Sequence, residues 1–128
     1  MDLAQAPANR SGGRVILSLV TVVRMENLPD SGSNHRFDGA DHGAPVSFFI
    51  VHAQPGEGPG LHSHPYTETF IIQEGQATFT LGDDTFEAKA GDIIVAPANA
   101  PHAFVNSGKG VLRSVDIHPV AEMEIVWL

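Results

Sequence analysis

The sequence predicts an all-β fold in a single domain, and three observations carry that reading. Thirteen glycines and nine prolines in 128 residues mean many turns and few long helices. Short apolar or alternating runs recur between those turns, at residues 45–54, 67–73, 77–81, 85–88, 91–96 and 111–118. The length is that of one domain, long enough to bury a core without disulfides.

Composition narrows the function classes. Apolar residues at 42% and charged residues at 17% describe a globular chain. No cysteine is present, so there is no disulfide framework and no thiolate zinc site. That fits a reducing compartment, and a cytoplasmic location is expected. The formal net charge is −8, with only seven Lys and Arg. Nucleic acid and anionic membrane surfaces are therefore not expected partners, because both need clustered cations.

Taken in order, residues 1–14 are small and polar without a period and read as a flexible N-terminal tail. Residues 15–128 read as the single domain. Residues 15–23, VILSLVTVV, are largely β-branched and too short to span a bilayer. The following Met25-Glu26-Asn27 offers no small-residue cleavage site, and Asp2 spoils a basic leader, so an edge strand is preferred over a signal peptide. A long apolar edge needs covering, which predicts a homodimer.

Residues 26–44 are irregular and read as a loop over one end of the domain. His35 and His42 within it read as surface histidines rather than reserve metal ligands. In residues 45–54 alternation separates Val46, Phe48, Ile50 and His52 from Ser47, Phe49, Val51 and Ala53. Phe48 is assigned to the pocket side, and His52 reads as a satisfied core histidine.

The chain is organised around residues 56–75, GEGPGLHSHPYTETFIIQEG. His62 and His64 are two apart, so a strand aims both imidazoles to one face. Pro65 and Tyr66 break that strand, and a short hairpin there would fold Glu68 back opposite the histidines. Two imidazoles and a carboxylate form a partial ligand set for a borderline divalent metal. The glycines before His62 do not follow a nucleotide-binding spacing and precede a strand, so a phosphate loop is rejected. Glu68, Phe70 and Ile72 share a face, which puts the carboxylate against an apolar wall.

Residues 77–88 read as a hairpin turning at Gly82-Asp83-Asp84. Residues 91–106, GDIIVAPANAPHAFVN, follow as strand, turn and strand, and carry His102 as the candidate fourth ligand. Phe104 shares its face. In residues 111–118, Ser114, Asp116 and His118 alternate with Val115 and Ile117. If the polar face looks inward, Asp116 can act beside the metal or in proton transfer; if outward, it is solvated surface. The apolar ending, residues 123–128 with Trp127, would close the barrel or cover a subunit contact.

These residues carry a family resemblance. Gly56, His62, His64, Glu68 and Gly75 match the fixed positions of the first cupin motif, and Gly91, Pro97, His102 and Asn106 those of the second. Asn99 stands where the family usually has glycine; asparagine is the next most tolerant residue for positive φ. The sequence thus resembles a small single-domain cupin over roughly residues 44–118, a span set by where strand and turn signals continue. The resemblance implies a double-stranded β-helix, or jelly roll, and one divalent transition metal on His62, His64, Glu68 and His102. It does not imply one reaction.

Three imidazoles and a carboxylate leave positions open for substrate and suit Mn, Fe, Co, Ni or Zn. The expected function is Lewis-acid catalysis on a small oxygen-bearing substrate, of isomerase, lyase or dioxygenase type. Glu68 can double as general base. Phe48, Phe70, Ile72, Phe104 and Asp116 are the expected pocket residues. Two alternatives remain open: a non-enzymatic metal-dependent binder or sensor of a small molecule, and a metal that only stiffens the barrel.

Overall fold

Beyond residue 33 the chain pairs into two antiparallel five-stranded sheets that enclose the core. The structure, a computed structural model, describes residues 8–11, 14–17 and 19–128. One sheet contains β4 (Asn34–Phe37), β5 (Ser47–Ala53), β7 (Glu68–Glu74), β10 (Ile93–Ala96) and β12 (Leu112–His118), in the order β10-β7-β12-β5-β4. The other contains β6 (His62–Ser63), β8 (Gln76–Leu81), β9 (Asp84–Lys89), β11 (His102–Asn106) and β13 (Val126–Trp127), in the order β13-β6-β11-β8-β9. Two such sheets packed face to face form the jelly-roll barrel. No described helix is long and apolar enough to cross a membrane.

Strand alternation sets the interior. In β7 Glu68, Phe70 and Ile72 are buried, and in β12 Leu112, Ser114, Asp116 and His118 are buried. The core joins these strands through Phe70, Phe79 and Phe104: Phe79 meets Phe70 edge-on at 5.2 Å and stacks on Phe104 at 5.1 Å. Burying each such ring contributes about 1.5–3 kcal/mol. The β8–β9 hairpin closes with Leu81 opposite Asp84, and Gly82 takes φ 59° at the turn.

Three local expectations change. Residues 15–23 are not one edge strand. Instead β1 (Ala8–Ser11), β2 (Arg14–Leu17) and β3 (Val20–Val23) form a separate three-stranded antiparallel sheet, with a turn at Leu19. The tail expected over residues 1–14 thus contains a paired strand, and residues 1–7, 12 and 13 lie outside the described residues. Second, β6 and β7 are not a hairpin. The chain crosses from one sheet to the other between His64 and Glu68, because β6 pairs with β11 and β13 instead. Third, the inner face of β5 is Ser47, Phe49, Val51 and Ala53. Phe48 faces outward and stacks on Phe37 at 4.5 Å, so it is withdrawn from the pocket. His52 shares that outer face, half-buried, 3.2 Å from Asp30; it is paired but not a core residue.

Candidate metal centre

Both sheets contribute to one cluster. His62 lies on β6, His64 follows it, and His102 opens β11; His62 and His102 are directly opposed across the β6–β11 pair. Glu68 opens β7 on the facing sheet. One donor atom from each of these four buried residues lies within 4.8 Å of the others. The two motifs are tied together by the turn before His102: Asn99 takes φ 66°, and its N–H donates to His64 O at 2.7 Å. Asparagine there supplies the left-handed residue that glycine would.

Backbone carbonyls orient the rings. His62 Nδ1 lies 2.7 Å from Gly60 O, His64 Nδ1 2.7 Å from Glu124 O, and His102 Nδ1 2.9 Å from Ala100 O. A carbonyl can only accept, so each Nδ1 carries the proton and each Nε2 presents its lone pair inward. Glu68 Oε1 is 3.0 Å from the Nε2 of both His64 and His102. In the neutral rings those contacts oppose lone pairs to a carboxylate, and His64 Nε2 makes no hydrogen bond despite its burial. Either extra protons or a cation must resolve this. A divalent ion satisfies all four donors at once, and the donor set fits Mn, Fe, Co, Ni or Zn.

The electrostatics of the four side chains agree. Burial alone would raise the Glu68 carboxyl, but its contacts with His102, His118 and His64 outweigh burial and hold it well below the usual carboxylate range. Burial would lower His64, but Glu68 and the Glu124 carbonyl raise it. His62 is lowered, chiefly by burial, so it stays neutral and available to a metal.

Of the expected pocket residues, Phe104 and Asp116 line a cavity of about 240 Å³ that adjoins the cluster, as does Trp127. The four clustered residues are not among its walls. Phe70 packs beside His102 with ring centres 5.7 Å apart, and Ile72 lies in the core. His35 and His42 lie away from the cluster: His35 pairs with Asp30 at 3.3 Å, and His42 stacks on Phe37 at 4.6 Å.

Sequence reasoning left two participants without a role. His118 Nε2 is 3.1 Å from Glu68 Oε2, and His118 Nδ1 is 2.6 Å from the Tyr66 hydroxyl. Tyr66 in turn accepts the Glu124 N–H at 3.2 Å. The inward polar alternation of residues 114–118 was the available signal for His118. No local pattern marks the Glu124 carbonyl.

Two facing antiparallel sheets with three histidines and one glutamate inside define a jelly-roll protein built to hold a metal ion. The chain belongs to the cupin-domain family, whose model matches residues 49–118. It is 28% identical over 116 residues to polyketide synthase CurC of Streptomyces cyaneus, covering 90% of this chain and 65% of that protein. It is 31% identical over 83 residues to mannose-1-phosphate guanylyltransferase 2 of Escherichia coli O157:H7, covering 64% of this chain and 17% of that enzyme. Both relatives are longer than this chain, which spans less than two thirds of either. Among solved structures, Bacillus subtilis oxalate decarboxylase, studied for its Mn(II) centres, superposes with a TM-score of 0.74 at 24% identity, covering 84% of this chain and 32% of that one. That likeness speaks to the fold.

Proposed function

We propose that this cupin is a metal-dependent enzyme that acts on a small oxygen-bearing metabolite, with His62, His64, Glu68 and His102 as the metal ligands. One observation carries the reading: three imidazoles, locked as Nδ1–H tautomers by carbonyls, turn their Nε2 lone pairs toward one buried carboxylate. Such an arrangement is costly without a cation and favourable with one.

A bound divalent ion would supply Lewis-acid polarisation of a substrate oxygen and stabilise developing negative charge. The chain's own residues do the rest. The imidazoles hold neutral donors in fixed orientation. Glu68 supplies the charged donor, and as the most exchangeable of the four it can take a proton from carbon next to a substrate carbonyl. Phe70 and Phe104 exclude water from the cluster's flank. Similarity over 90% of the chain to a polyketide synthase protein favours enolisable carbonyl compounds as substrates. The protein acts as a homodimer in this reading, supported by exposed Ile93 and Val95 on edge strand β10.

The test has two stages. Elemental analysis of protein purified without added metal should find about one ion per chain, and a His62→Ala variant should lose it. Full metal content in that variant would refute the ligand assignment. Metal-loaded protein is then screened against diketones, enediols, uronates and catechols with O2 uptake recorded. Turnover of an enolisable carbonyl is expected; binding without turnover across the panel would leave a non-enzymatic binder.

A further inference from the structure

The cavity beside the cluster has mostly apolar walls, two neutral polar residues, Ser33 and Asn34, and one acid. Phe49 and Val51 come from β5, Phe104 from β11 and Trp127 from β13; Asp116, from β12, is its one ionisable wall residue. The cavity sits next to the cluster: Phe104 is two residues past His102 on the same strand, and the Trp127 ring lies 5.1 Å from that of His62. Its volume of about 240 Å³ exceeds the ~150 Å³ that accommodates a benzene ring. A substituted single ring therefore fits.

Asp116 is only 4% exposed. Ser114 Oγ donates to its Oδ1 at 2.8 Å, while Oδ2 receives no hydrogen bond from any described residue. Burial raises the carboxyl well above its ordinary value, the negative charge of Glu68 adds to this, and the Ser114 bond offsets only part. Burial thus favours the protonated carboxyl, which has a donor to offer, over the carboxylate. With Oδ1 taken by Ser114, Oδ2 is the position left for a ligand's hydrogen bond on the cavity side.

We propose that this cavity is a binding site for a small, flat, aromatic or conjugated ligand whose hydroxyl or carbonyl oxygen is hydrogen-bonded by Asp116. Rings favour rings through offset and edge contacts, so Phe49, Phe104 and Trp127 select a planar body. Asp116 selects one oxygen on it. The inference deepens the enzymatic reading by naming a substrate class, and it rests on that reading only in setting the ligand beside a metal.

The chain has one tryptophan, so its indole N–H gives a single resonance reporting on the cavity. Zinc-loaded protein is titrated with 4-methylphenol and with toluene, and metal content is measured on the same sample. Both probes should shift the Trp127 resonance, with 4-methylphenol binding more tightly. Asp116→Ala should weaken 4-methylphenol roughly 3- to 10-fold, as loss of one hydrogen bond requires, and leave toluene within about twofold. Asp116→Leu, which keeps the volume and removes the donor, should do the same if the alanine variant does not fold. Asp116→Asn retains an N–H donor and should keep most of the preference. Equal affinity for 4-methylphenol in wild type and in the alanine or leucine variant would overturn the proposal, as would absence of any shift with either probe. Preference for 4-methylphenol in protein that takes up no metal would sustain this site and sink the metal reading. Metal-loaded protein without the preference would do the reverse.

Discussion

His118 Nε2 lies 3.1 Å from Glu68 Oε2, on the side of the carboxylate away from His64 and His102. The two oxygens of Glu68 therefore have different neighbours. Oε1 meets two candidate ligands; Oε2 meets a histidine whose other nitrogen is 2.6 Å from the Tyr66 hydroxyl. If Tyr66 donates its proton there, His118 keeps its own proton on Nε2, the reverse of the three candidate ligands. His118 then acts by aiming Glu68 rather than by binding the ion. His118 Nε2 is buried and makes no hydrogen bond, with Glu68 Oε2 its nearby charged neighbour at 3.1 Å. His118→Ala should weaken metal binding about 10- to 100-fold while still reaching one ion per chain at saturation. Tyr66→Phe should weaken it less. Competition against a chelating dye measures both, and an unchanged affinity in the alanine variant would show that Glu68 needs no such support.

Removing a candidate ligand should cost more than removing its support. His64→Ala and His102→Ala are each expected to lose over 100-fold in metal affinity. Glu68→Gln should lose a comparable amount, because the site's only negative donor goes while the shape stays. Equilibrium dialysis against zinc or manganese checks this. A Glu68→Gln variant with wild-type affinity would remove the carboxylate from the set.

Metal should also stabilise the fold and release protons. At a free concentration of 100 times Kd, a ligand that binds only the native state adds about 2.7 kcal/mol. For a chain of this length that corresponds to roughly 10 °C in Tm. His64, raised by Glu68 and the Glu124 carbonyl, gives up its extra proton when its Nε2 binds an ion. Stabilisation by metal should therefore weaken as pH falls below the raised His64 value, where protons compete for Nε2. Thermal scans with and without metal, with proton release followed in weak buffer, test both effects. A Tm indifferent to metal at all pH values would count against the site.

The site was legible in the sequence to the extent that its information is local. The spacing of His62 and His64 fixes a shared face, and the β7 alternation places Glu68 with Phe70 and Ile72; both hold. Asn99 at positive φ was also readable, since few side chains tolerate it. What failed needed non-local knowledge. Both faces of residues 45–54 carry apolar groups, so alternation defines the sets without saying that Phe49, not Phe48, points inward. Pro65 announces a turn but not that the chain crosses to the facing sheet. Residues 15–23 are mostly apolar and lack a Gly or Pro between β2 and β3, so the hairpin has no strong local signature.

The exposed face of β10 bears on assembly. Ile93 and Val95 are 65% and 57% exposed on an edge strand, while Ile94 and Ala96 between them are buried. Two apolar side chains on an open edge invite pairing with a second copy. Light scattering should give twice the chain mass for the wild type. Ile93→Lys with Val95→Lys should give the monomer with metal content unchanged, because neither residue touches the cluster. A monomeric wild type would refute the dimer.

Asp116 provides a pH test that needs no ligand. Its folded carboxyl is raised by burial and by the charge of Glu68. The native state therefore holds this proton more tightly than the unfolded chain does. Stability from Asp116 is fully present below the ordinary carboxylate range and is lost as pH rises toward the raised folded value. Asparagine has the same size and does not titrate. In chelator-treated protein, the stability of Asp116→Asn relative to wild type should rise with pH above about 4 and level off once the wild-type carboxyl ionises. Glu68, held below the usual range, has the opposite sense: it adds stability above the ordinary carboxylate range, and this is lost only at strongly acid pH. It is common to both proteins and cancels in the difference. Urea unfolding of the two proteins across pH 3 to 9 measures the curve. A difference that is flat with pH would mean that Asp116 ionises as freely in the barrel as in the unfolded chain, and the neutral donor assigned to the cavity would not exist.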